Sequence, residues 1–302
     1  MNFLNRLIVS TLPAVPKPIV RKFANRYIAG EEMLDAVRAV RHLNDQRYLA
    51  TVDVLGEDIT ERSEAVAARD AILEVLQTIT DQHLDSNVSV KLTQVGLKLD
   101  KNFCLENTRA IVTKAAESGN FLRIDMEDST CTDDTIWVYR QLRKDFSNVG
   151  IVLQAYLHRT LTDAESLMSD GIKNFRLCKG IYIESESIAY KTHDAINENY
   201  KNVLRTMLES GAYVGIATHD DKLVDAAYGM IRERNMKPSE YEFQMLLGVR
   251  PELRAQILNN GHRLRVYVPF GKKWYQYSLR RFKENPQVAG YVLKALFTSN
   301  SN

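Results

Sequence analysis

The chain has 302 residues, 45% of them hydrophobic and 26% charged, an ordinary globular composition long enough to bury a large core without disulfides. Its 40 basic and 38 acidic residues leave a net charge of +2, which argues against the marked basic excess of a bulk nucleic-acid binder. Cys104, Cys131 and Cys178 are widely spaced and show no Cys-x-x-Cys or Cys/His metal pattern, so reduced thiols of a cytosolic protein are expected.

The first 45 residues read as helices, at 2–10, 16–29 and 31–43. The second ends at Gly30, a natural C-cap, and the third carries Met33, Leu34, Val37 and Val40 at helical spacing. The segment is broken by Pro13, Pro16 and Pro18 and lacks the continuous apolar core of a cleaved signal peptide. No apolar run of about 18 residues or more suggests a membrane span.

From Arg47 the character changes. Short β-rich runs fall at 48–55, 88–93, 121–126, 151–157, 175–179, 213–218, 243–247 and 264–268. Stretches of helical periodicity separate and follow them, at 65–80, 108–117, 134–146, 163–169, 197–209, 223–234, 251–258 and 274–283. Eight strands alternating with eight helices predict a (β/α)8 barrel. A doubly wound open sheet is the alternative, but no Gly-x-Gly-x-x-Gly follows the first strand. We expect a helical extension over 1–45 and a barrel with a C-terminal helix over 46–302.

In such a barrel, chemistry sits at the C-terminal ends of the strands. Polar residues there are Lys91, then Asp125 and Glu127, then Gln154. Arg176, Lys179, Gly180 and Tyr182 follow, then Thr218, His219 and Asp220, and finally Gln244 and Tyr267. Strand parity directs Asp125 and Arg176 to the barrel mouth, because charged groups face a helix layer only at high cost. Plain structural roles compete at this stage. Lys91 could pair with Asp125 at the rim, Gln154 could satisfy strand backbone, and His219 could be an idle loop histidine. Cys178 has no evident histidine partner and reads better as a small packing residue than as a nucleophile. The Thr218-His-Asp-Asp221 run lacks a second histidine at ligand spacing, so no metal is expected.

The last predicted helix places Tyr277, Arg280, Arg281 and Glu284 at i, i+3, i+4 and i+7, on one face. Paired guanidiniums beside a tyrosine suit a small carboxylate, with Glu284 steadying a guanidinium from behind. The same pattern also fits a solvated basic face.

Seven blocks together resemble the proline dehydrogenase family. They are Val90-Lys-Leu-Thr-Gln-Val-Gly-Leu97, Ile124-Asp-Met-Glu127, Val152-Leu-Gln-Ala-Tyr-Leu157, Arg176-Leu-Cys-Lys-Gly-Ile-Tyr182, Ala217-Thr-His-Asp220, Phe243-Gln-Met-Leu246 and Tyr277-Ser-Leu-Arg-Arg-Phe-Lys-Glu284. They run in the family's order from about residue 47 to 286, most like its monofunctional bacterial members. Cys178 stands where valine is more usual, and Ile181 where alanine is.

The resemblance implies a barrel holding non-covalent FAD and oxidising L-proline to Δ1-pyrroline-5-carboxylate by hydride transfer to the flavin. Electrons would pass to a quinone, the first step of proline degradation. It further implies that Lys91, Arg280 and Arg281 bind the substrate carboxylate, with Glu284 behind them. Tyr277, Tyr267, Tyr182 and Leu246 would wall the ring. Met126, Gln154, Arg176, Cys178, Lys179, Gly180, Thr218 and His219 would contact FAD, and Asp125 and Arg176 would take catalytic positions. A cytoplasmic enzyme touching the inner membrane face through its terminal helices would fit that acceptor. Two other classes remain: a Schiff-base aldolase or lyase using Lys91 or Lys179, and an inert barrel that only binds an amino acid.

Overall fold

The computed structural model describes residues 20–21, 24–56, 59–275 and 277–279. Eight parallel strands close a barrel in chain order: β1 Leu49–Val54, β2 Ser86–Lys91, β3 Leu122–Asp125, β4 Val149–Gln154, β5 Asn174–Cys178, β6 Tyr213–Ala217, β7 Tyr241–Leu246 and β8 Leu264–Phe270. Pairing of β1 with β8 closes the ring, in register from Leu49 with Arg265 to Val54 with Phe270. The described helices are α1 Met33–Asp45, α2 Arg62–Asp81, α3 Lys101–Glu117, α4 Thr132–Arg143, α5 Thr160–Ser169, α6 His193–Glu209, α7 Asp221–Glu233 and α8 Pro251–Asn259.

Period-2 alternation explains the closure. Outward strand positions such as Val88, Val90, Leu122, Ile124, Phe175, Leu177, Phe243 and Val266 are fully or almost fully buried under the helices. Inward positions are polar to an unusual degree: Thr51 and Asp53, Ser89 and Lys91, Arg123 and Asp125, Arg176, Glu242 and Gln244, Arg265 and Tyr267. A barrel lumen is more commonly packed with Val, Ile and Leu.

Local signals set the strand-to-helix joints. Lys91 ends β2 because Leu92–Val95 turns into a 3-10 helix closed by Gly96 at φ +109°. Strand β4 ends at Gln154, short of the expected 157, because Leu157 leaves the barrel to bridge Ala189. Asp100, Thr192 and Asp220 cap α3, α6 and α7 with their side chains.

Helix α1 packs across β8 and β1, burying Ala36, Val40 and Leu43 against the barrel wall. The chain after β8 therefore need not fill that place. Beyond Gly271, at φ +122°, it turns into a helical segment that begins at Trp274 and brings Tyr277 over the barrel mouth. Glu31 accepts a 2.7 Å hydrogen bond from the Trp274 indole, tying this segment to the chain before α1.

Candidate active site

The mouth of the barrel encloses a cavity of about 730 Å3, within the range of small-molecule sites. Its floor is built from strand ends: Lys91 of β2, Asp125 of β3, Gln154 of β4, Arg176 and Cys178 of β5, Gln244 and Leu246 of β7 and Tyr267 of β8. Loops add Met126, Lys179, Gly180, Tyr182, Thr218 and His219, and the post-β8 segment adds Tyr277. The fold thus gathers every site residue expected within its described part around one cavity. Arg280, Arg281 and Glu284 lie outside the described residues.

Asp125 is the hub. Its Oδ1 accepts from Arg176 Nη1 at 2.7 Å and from Ser89 Oγ at 2.5 Å, and its Oδ2 accepts from Tyr267 OH at 2.7 Å. Burial pushes its carboxyl up. Arg176, Lys91 and these hydrogen bonds outweigh that and hold it below the usual carboxylate range. Tyr267 is pushed well above its ordinary value, by burial first and then by Asp125 and Asp53, so it stays a phenol that donates.

Lys91 pairs most closely with Asp53, at 3.1 Å, while Asp125 Oδ2 stands 3.8 Å away. Burial would lower the ammonium, but Asp53 and Asp125 outweigh it, so Lys91 is held protonated. Asp53 is 1% exposed and has Lys91 as its closest cation. Burial and the neighbouring Asp125 push its carboxyl up against the pull of Lys91. Two carboxylates around one lysine thus take opposite shifts, because only Asp125 also holds an arginine.

The opposite rim is ordered by turns. Gly180 sits at φ +106°, and a Cβ there would come 2.1 Å from the Tyr156 ring, so only glycine fits. Lys179 donates to Asp220 Oδ2 at 2.7 Å. Burial raises the Asp220 carboxyl, but hydrogen bonds from Lys179 and Asn197 bring it down to about 2. His219 Nε2 accepts from Leu246 N at 2.9 Å, which puts the proton of the neutral ring on Nδ1. Gln154 donates to the Glu127 carbonyl at 2.7 Å, one of the plain structural contacts weighed for it.

Sequence reasoning passed over Asp53, Arg250 and His193. Asp53 was signalled by an acid in the apolar run of β1, in phase with Thr51. Arg250 and His193 line the cavity from the starts of α8 and α6, where no strand-end rule points.

The family model for proline dehydrogenase matches residues 36–293. The chain belongs to the proline dehydrogenase family. It is 37% identical over 273 residues to proline dehydrogenase 1 of Bacillus subtilis subsp. natto, covering 90% of both chains. It is 35% identical over 278 residues to proline dehydrogenase of Deinococcus radiodurans, covering 90% of this chain and 89% of that one. Its fold superposes with a TM-score of 0.83, at 25% identity, on proline utilization A from Bdellovibrio bacteriovorus inactivated by N-propargylglycine. That match covers 88% of this chain and 33% of the other. Family membership makes this chain an oxidoreductase of proline catabolism.

Proposed function

We propose that this chain oxidises L-proline to Δ1-pyrroline-5-carboxylate at a non-covalent FAD and passes the electrons to a quinone. The observation that carries the reading is the convergence of Arg176, Lys91 and Tyr267 on Asp125 at the floor of a cavity with an apolar side.

The residues present suit a flavin. Gly180 lets backbone approach where a side chain could not fit. Val152, Ala217 and Met126 offer apolar surface to a ring system. Lys222, which lines the cavity, offers a positive charge to a diphosphate. Met126, Gln154, Arg176, Cys178, Lys179, Gly180, Thr218 and His219 would hold it. When bound, FAD supplies the acceptor for the two electrons and the hydrogen leaving the ring carbon beside nitrogen.

The chain's own residues orient and polarise. Arg176 is a fixed positive charge that favours negative charge developing beside it. Asp125 acts by holding Arg176 and Tyr267, because both its oxygens are already engaged. The proline carboxylate would be anchored by Arg280, Arg281 and Lys91, with Glu284 behind the arginines. Tyr277, Tyr267, Tyr182 and Leu246 would fix the ring. Nearby cations lower the amine pKa of proline, and the amine proton goes to solvent.

The Schiff-base reading is disfavoured, because Lys91 is held protonated by two carboxylates and Lys179 is paired with Asp220. Among the described residues no helix is long and apolar enough to cross a membrane. We propose a cytoplasmic enzyme that meets its acceptor through peripheral membrane contact of the terminal segments, and vesicle co-sedimentation tests that contact. The main experiment is the visible spectrum of the purified protein, taken anaerobically before and after L-proline. A flavin spectrum that bleaches supports the reading. A colourless protein, or a flavin that proline leaves oxidised, overturns it.

A further inference from the structure

A chain of hydrogen bonds runs up the lumen beneath Arg176. Arg265 grips Glu242 with two bonds, Nε to Oε1 at 2.7 Å and Nη2 to Oε2 at 3.1 Å. Glu242 Oε1 accepts from Gln244 Nε2 at 2.6 Å, and Gln244 Oε1 accepts from Arg176 Nε. Arg176 then donates to Asp125. Glu242 and Gln244 are both buried.

The direction of the amide is dictated from both ends. Burial raises the Glu242 carboxyl, but Arg265, Gln244 and Tyr213 outweigh it and keep it ionised. An ionised carboxylate only accepts, and a guanidinium only donates. Gln244 must therefore turn its NH2 to Glu242 and its carbonyl to Arg176, and a flipped amide would face like against like at both ends. The neighbouring strand β6 makes room for it, since a Cβ on Gly215 would come 2.4 Å from Gln244 Nε2.

We propose that Gln244, oriented by Glu242 and accommodated by Gly215, is a positioning residue that fixes the direction of the Arg176 guanidinium. This rests on the reading of Arg176 as the charge facing the flavin. Asp125 holds one end of the guanidinium and Gln244 the other, so neither alone fixes its plane. Glu242 and Gly215 act only through Gln244.

Two variants test this from opposite sides. Gln244→Met removes both bonds at similar volume. Gly215→Ala leaves every polar group in place and displaces the amide. In the flavin-loaded protein both should lower kcat about tenfold with the proline KM within about twofold. Both should also move the flavin midpoint potential to more negative values, since a less constrained Arg176 stabilises the reduced state less. A readout without flavin is the Arg176 Nε–H in 15N-arginine NMR, expected to exchange slowly in the parent and fast in both variants. If the parent holds no flavin, the proposed function fails and this readout still decides the present inference. Folded variants that keep the parent's kcat, potential and slow Nε–H exchange overturn it. Should Gln244→Met fail to fold, Gly215→Ala decides alone.

Discussion

Replacing Lys91 with Met takes the closest cation from Asp53, a carboxylate 1% exposed and 3.1 Å from the ammonium. Breaking a buried pair by removing one partner typically costs about 3–5 kcal/mol. Here protonation sets a ceiling on that cost, because Asp53 can become neutral. Starting from an ordinary carboxyl near pKa 3.9, taking up a proton at pH 7 costs about 4 kcal/mol, and at pH 5 about 1.5 kcal/mol. The sign follows from linkage. Burial already pushes the folded Asp53 carboxyl up, and losing Lys91 pushes it further, so the folded variant binds more protons than its unfolded chain. Its deficit against the parent must therefore grow as pH rises past the parent's own raised Asp53 value toward 7. Urea unfolding of parent and variant at pH 5 and pH 7 measures this. The double variant Lys91→Met/Asp53→Asn should recover much of the loss at pH 7 and flatten the pH dependence. A pH-independent deficit, or a double variant no better than the single one, would refute Asp53 as the counter-ion that matters.

Three further outcomes follow from the same geometry. Gly180→Ala forces a non-glycine residue to φ +106° and a Cβ into the Tyr156 ring. Left-handed strain alone costs about 1–2 kcal/mol, so lower thermal stability and at least about tenfold weaker flavin retention are expected by melting and ultrafiltration. Tyr267→Phe deletes the 2.7 Å bond to Asp125 while Arg176 and Ser89 keep theirs. A hydrogen bond to a charged group contributes about 1.5–3 kcal/mol, so kcat/KM for proline should fall about tenfold or more with the fold retained. Arg281→Met should raise the proline KM about tenfold or more, and an unchanged KM would remove the arginine pair from the substrate site.

The barrel was legible because its strands alternate so regularly. Val88, Val90, Ile124 and Leu177 face the helices, and the polar residues between them had nowhere to point but the lumen. Parity therefore placed Asp125 and Arg176 at the mouth before any pairing was known. Pairing itself was less accessible. Lys91 could be matched to Asp125 from sequence, yet its nearest carboxylate is Asp53, 38 positions earlier, because β1 and β2 are neighbours in register. The role of Gln244 was also hidden, since an amide between two charges reads in sequence as any strand glutamine. Arg250 escaped because its guanidinium is held at the rim by bonds to Asp221 and the His219 carbonyl, both remote in sequence.

The pairing of Lys91 also changes how the carboxylate clamp should be divided. Among the described residues, the strand-end floor of the cavity presents two cations, Lys91 and Arg176, paired with two carboxylates, Asp125 in the lining and the buried Asp53 outside it. Each cation already has a carboxylate within about 3 Å, so an incoming anion meets a nearly neutral floor. Buried pairs of this kind add little to stability compared with apolar packing. What they do supply is a set of charges that need not reorganise when substrate arrives. On the proposed function, net attraction for the proline carboxylate would then come from cations outside this balance, and Arg280 and Arg281 are the pair the sequence offers. On that reasoning Arg281→Met should raise the proline KM more than Lys91→Met does, provided both are assayed well below their melting points. The reverse order would mean that substrate displaces Asp53 from Lys91, and that the lysine is the primary anchor.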